Sequence, residues 1–102
     1  MTKKYDEVKI TKSDRDKKFK AVFFLEGDKK KTIHFGAKGM SDFTIHKDTK
    51  RKKNYLARHN PKYTKENWKV PDTAGSLSRW VLWNLPSLQA SINDYKKRFK
   101  LK

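Results

Sequence analysis

Cysteine is absent from this chain, which excludes disulfides and thiolate metal centres. Long apolar runs are missing too. The longest, AVFFL, spans five residues, against roughly 20 for a membrane helix, so no membrane insertion is expected. The opening MTKKYDEV lacks the apolar stretch of a secretory signal, which predicts that none is present. Catalytic signatures are equally scarce: there is no G-x-S-x-G, no HExxH and no paired carboxylates in a predicted pocket wall. FGAKG, at Phe35–Gly39, fails the spacing of a phosphate-binding Walker loop. Asp6, Glu7, Asp14 and Asp16 fall at a strand edge and a turn, where they serve solubility. The expectation is a protein that is not an enzyme and carries no cofactor, a nuclease with scattered ligands being the remaining alternative.

Acidic residues are also few, 11 against 27 lysines and arginines, giving a net charge of +16. Such a surplus attracts polyanions at long range: nucleic acid, an anionic membrane or an acidic protein. Only 34% of residues are hydrophobic and 37% are charged, a balance that drifts towards disorder. The aromatic content of 13% opposes that drift. The 102 residues therefore predict one small basic domain with a modest aromatic core.

Residues 1–36 carry strand periodicity. Val8 and Ile10 share one face, as do Phe19, Ala21, Phe23 and Leu25, and then Ile33 and Phe35. SDRDKK and EGDKK read as the turns between them, giving a three-stranded antiparallel meander with the FKAVFFL strand in the centre. Residues 41–102 form the helical portion. Asp48 is placed to cap a helix through TKRKKNYLARH, ended by Asn60-Pro61. A second helix starts at Asp72 or Thr73, with Leu77, Trp80 and Val81 on one face and Trp83 nearer the side. A third follows Ser87, with Leu88, Ile92, Tyr95 and Phe99 as its apolar stripe and an Asp94–Arg98 pair one turn apart. Tyr63, Trp68 and Val70 are expected to anchor the connection between the first two helices. The fold class is α+β, a small meander covered by about three helices.

The candidate site is cationic. Lys50, Arg51 and Lys53 fall on the helix face away from Leu56, with Arg58 at its edge, and guanidinium and ammonium groups at helical spacing can follow phosphates. Lys52 belongs to the same basic run, with Lys47 and Lys62 at its flanks. Lys38, in the Gly36–Gly39 loop, assists. A second cluster of Lys96, Lys97 and Arg98, continuing to Lys100 and Lys102, is either a frayed tail or a second contact on the same backbone. Tyr63, Trp68 and Trp83 are candidates for stacking on bases or for docking a protein, although core packing competes for tryptophans in so small a domain. His34, His46 and His59 have no metal-binding spacing, so no metal site is expected. The loop HFGAKGMSDFTIH reads first as a corner where positive-φ glycines turn the chain out of the sheet.

HFGAKGMSDFTIHKD (34–48), YLARH (55–59), TAGSLSRWVLWN (73–84) and SINDYKKRF (91–99) together resemble a family of short basic uncharacterised proteins encoded by nucleocytoplasmic large DNA viruses of algae and protists. No activity or residue role comes with that resemblance. It implies a setting, the virion interior or the infected cell's cytoplasm or nucleus. The leading expectation is a non-enzymatic nucleic-acid-binding protein, with DNA favoured. The alternative is a structural virion component, a minor capsid or core protein, that meets an acidic viral protein.

Overall fold

Glu26 and Gly27 both have positive φ, 51° and 84°, which makes the two-residue hairpin turn whose twist matches that of its flanking strands. The computed structural model describes residues 4–102. The expectation of no secretory signal thus falls partly on residues 1–3, outside the described residues. Strands β1 (Glu7–Lys12), β2 (Lys17–Leu25) and β3 (Asp28–Ala37) form an antiparallel sheet in the order β1-β2-β3. The β2–β3 turn is shorter than EGDKK suggested. Asp28 already pairs with Leu25, and Lys30 is left over as a bulge where Phe23 pairs with Lys31 and Phe24 with Lys29.

Period-two alternation sorts the sheet as the sequence predicts. Val8, Ala21, Phe23 and Phe35 are buried on one face, with Ile10, Phe19 and Ile33 packed beside them. The helical layer covers that face: α1 (Phe43–His46), α2 (Thr49–Arg58), α3 (Ala74–Leu77) and α4 (Leu88–Arg98). From it Leu77, Val81, Leu82 and Tyr95 complete the core. None of the described helices covers the other face, which carries Lys9, Lys20, Val22, Phe24, Thr32 and His34.

Three details differ from the sequence reading. A fourth, very short helix, α1, is present, capped by Asp42. Of the two caps expected for the second predicted helix, Thr73 fills the role and Asp72 accepts the Tyr5 hydroxyl. That helix also runs from α3 into a π-helical segment, Ser78–Leu82, closed by the Trp83 amide on the Ser78 carbonyl. The chain's last residues are not frayed. Leu101 is buried, and Lys102 exchanges backbone hydrogen bonds with Asp6 and Val8 along the β1 edge.

Candidate nucleic-acid interface

Helix α2 starts where expected. The Asp48 carboxylate accepts the amides of Lys50 and Arg51 at 2.9 and 3.3 Å. Its turn spacing then divides the residues cleanly. Tyr55 is buried and Lys52, Leu56 and His59 are half-buried, whereas Lys50, Arg51, Lys53, Asn54 and Arg58 are exposed. The ion pairs among the described residues join Lys4 and Lys31 to Asp72, Lys18 to Asp42, His59 to Glu66 and Arg98 to Asp94. Lys50, Arg51, Lys53 and Arg58 take part in none of them. Two of these cations occupy the helix's first turn, which holds no acidic residue. There the macrodipole disfavours positive charge, an effect of about 0.3–1 kcal/mol per cation that the Asp48 carboxylate at the cap partly offsets.

Lys52 corrects the expectation of a uniform basic run. Its Nζ donates to the Asn84 carbonyl at 2.6 Å and lies 5.0 Å from the centre of the Phe43 ring. Burial, reinforced by the nearby Arg79 guanidinium, lowers its pKa. This side chain ties α2 to the turn after the π-helical segment, unlike its fully exposed neighbours. Trp83 is a second correction. Its ring is stacked on Tyr55 at 4.2 Å with planes 3° apart, and His46 lies 5.3 Å away. Tyr55 also stacks on His59 at 4.3 Å, and burial pushes its phenol far above the ordinary range, so it stays neutral. Trp83 thus holds α2 in place, with one ring face taken up by Tyr55. Trp68 is half-buried: its indole donates to Glu66, and its carbonyl accepts the Trp80 indole. Only Tyr63, 75% exposed beside Lys62, remains an open aromatic from the expected set, and it is therefore no anchor of the connection.

The glycine corner behaves as a corner. Gly36 and Gly39 both have φ of 84°. Beyond them the chain folds back so that Lys18 and Asp42 form a buried ion pair at 2.6 Å. They line a cleft of about 390 Å³ with Met40, Tyr55, Arg58 and Trp83. Asp42 itself caps α1, so a negative group already occupies that helix start. Lys38 is exposed in this loop.

Lys47 is exposed, and its Nζ reaches the carbonyls of Thr44 and Pro86. The C-terminal cluster lies elsewhere. Lys102 is pinned at the start of β1, whereas the end of α2 abuts the opposite end of the sheet, at Lys17, Lys18, Gly36 and Ala37. Arg98 is engaged by Asp94 and by the Trp80 ring, 3.6 Å away. Lys96, Lys97 and Arg98 therefore do not extend the α2 surface. The histidines stay apart in function: His34 meets Ser13, His46 accepts the Asp48 amide, and His59 meets Glu66. Among the described residues, no three His, Asp or Glu side chains gather as a metal-holding group. No described helix is long and apolar enough to cross a membrane.

Sequence reasoning passed over Arg79. It sits in the helical layer, 4.1 Å from the centre of the Trp80 ring and 5.4 Å from that of Trp68, and donates to the Trp83 carbonyl. Burial and the neighbouring Arg98 lower its pKa. Its role is to support the tryptophans, and one arginine in a tryptophan-rich helix gives no sequence signal of that.

The model of a "Family of unknown function (DUF5754)" matches residues 8–59. It takes in the meander and α2 and stops where α2 ends, whereas the resemblance read from the sequence began only at His34. The chain is also 33% identical over 86 residues to "Uncharacterized protein L851" of Acanthamoeba polyphaga mimivirus, covering 78% of this chain and 86% of that protein. No solved structure matches. The matched segment and the viral relative agree, and the chain belongs to the DUF5754 family.

Proposed function

We propose that this protein binds nucleic acid without catalysis, gripping backbone phosphates through the outer face of α2. The observation that carries the reading is the set of unpaired cations there. Lys50, Arg51, Lys53 and Arg58 are exposed, none joins an ion pair among the described residues, and two of them oppose the helix dipole. A row of exposed cations with no acidic partner in the fold is explained when an anion completes it. Lys47 and Lys62, exposed at either end of the helix, bring the set to six. Contacts of this kind fix position on a duplex and carry little sequence information. A large-DNA-virus setting favours DNA, in the virion interior or in the infected cell. Replacing Lys50, Arg51, Lys53 and Arg58 by glutamine should weaken binding to all duplex sequences alike. Unchanged affinity would remove α2 from the interface.

A second reading, a structural virion protein with an acidic protein partner, draws on three exposed side chains, Met40 (64%), Ile45 (61%) and Tyr63 (75%). Light scattering separates the two: a symmetric oligomer indifferent to DNA favours the second reading, and a DNA-binding monomer favours the first.

A further inference from the structure

The uncovered face of the sheet is also cationic. Its outward rows are Glu7–Phe24–Lys29, Lys9–Val22–Thr32 and Thr11–Lys20–His34. Glu7 is the one carboxylate in these rows, and it lies at the end of the face. A solvated antiparallel sheet needs polar side chains there, but threonine or glutamate would serve as well as lysine. Here the bulged segment of β3 and the β1–β2 turn close around a polar hollow of about 260 Å³. Its lining includes Arg15, Lys20, Lys29, Thr32 and His34, with Asp14 at one side. Lys9, Arg15, Lys20 and Lys29 join no ion pair among the described residues. Such a lining suits phosphate and sugar rather than a stacked base.

We propose that this face is a second backbone-phosphate surface and that the protein bridges two separate segments of duplex. The proposal rests on the reading of α2 given above. Helix α2 belongs to the layer on the other side of the sheet, so the two surfaces face different ways. The molecule measures 40 × 30 × 22 Å, so even its shortest dimension exceeds twice the screening length of about 8 Å at physiological salt. Each surface therefore attracts its own anion. For one duplex to serve both it would have to turn sharply around a small body, which a persistence length of about 150 base pairs makes costly. Two surfaces on one rigid domain make a cross-link, and cross-links condense long polyanions.

The test uses a tethered duplex and a second, labelled duplex free in solution, with the protein shown to be monomeric by light scattering at the concentration used. Wild-type protein should retain the labelled duplex. The variant Lys9→Gln/Lys20→Gln/Lys29→Gln should still bind the tethered duplex through α2 but lose retention more than about tenfold, each phosphate contact being worth about fivefold at physiological salt. Its intact binding to one duplex also verifies its folding. Lys20→Glu alone, at the middle of the face, should lower retention in the same direction. Full retention by the triple variant, or a wild type that binds one duplex and never captures a second, overturns the bridge while leaving the proposed function standing. A wild type that binds no duplex overturns both.

Discussion

Trp83 and Tyr55 lie ring on ring, 4.2 Å apart and 3° from parallel, and this contact fastens the basic helix to the body of the protein. The π-helical turn, with its one extra residue, leads directly into Trp83. Trp83→Ala should therefore cost about 3 kcal/mol in urea denaturation, through the lost packing and ring stacking. Trp83→Phe should cost less than half of that. Equal losses from the two would show that ring-on-ring contact is unimportant.

Neighbouring lysines should separate into two roles. Lys52→Gln removes the charged donor to the Asn84 carbonyl and should lower stability by about 1–2 kcal/mol, with little effect on DNA affinity. Lys53→Gln should do the reverse, weakening DNA binding about fivefold at physiological salt and leaving the melting temperature unchanged. Matched thermal melts and binding titrations on both variants check the assignment.

Gly36 combines φ of 84° with close neighbours. An added Cβ would stand 3.0 Å from Leu82 Cδ1 and 3.1 Å from Lys18 Cβ. Gly36→Ala should destabilise by about 1–3 kcal/mol, combining backbone strain with overpacking. At Gly39 the same change meets no atom within 4 Å, so only the strain remains and the loss should be smaller.

Asp72 should shape the acid limb of stability. Burial pushes its carboxyl up, but the Tyr5 hydroxyl, then Lys31, Lys4 and its own backbone amide together outweigh that and hold the pKa below the ordinary value. A depressed folded value means that ionised Asp72 stabilises the fold above about pH 4, and the contribution is lost as pH falls through the folded value. Asp72→Asn should cost about 2 kcal/mol at neutral pH and flatten the decline of stability below pH of about 4. Denaturation midpoints across that range provide the comparison.

The meander was legible because alternation of Val8, Ile10, Phe19, Ala21, Phe23, Ile33 and Phe35 is a local signal that burial then enforces. The cap and exposed face of α2 were legible for the same reason. Lys52 was not, since a lysine among lysines reads as surface until the Asn84 carbonyl is placed beside it. Trp83 depended on a π-turn, which shifts helical phase without any mark in residue type. The pairing of Lys102 with β1 spans nearly the whole chain, so no window of sequence contains it. The open sheet face was overlooked because its lysines are scattered over three strands and only register brings them together.

The central claim is that exposed α2 cations replace the counterions of a nucleic-acid backbone, and a salt titration of binding to random-sequence duplex DNA measures it most directly. With Lys47, Lys50, Arg51, Lys53, Arg58 and Lys62 in contact, the logarithm of the affinity should fall against the logarithm of salt with a slope of about −5. Replacing Lys50, Arg51, Lys53 and Arg58 by glutamine should make that slope shallower by about 3 to 4. An affinity that stays flat between low and moderate salt would contradict the account.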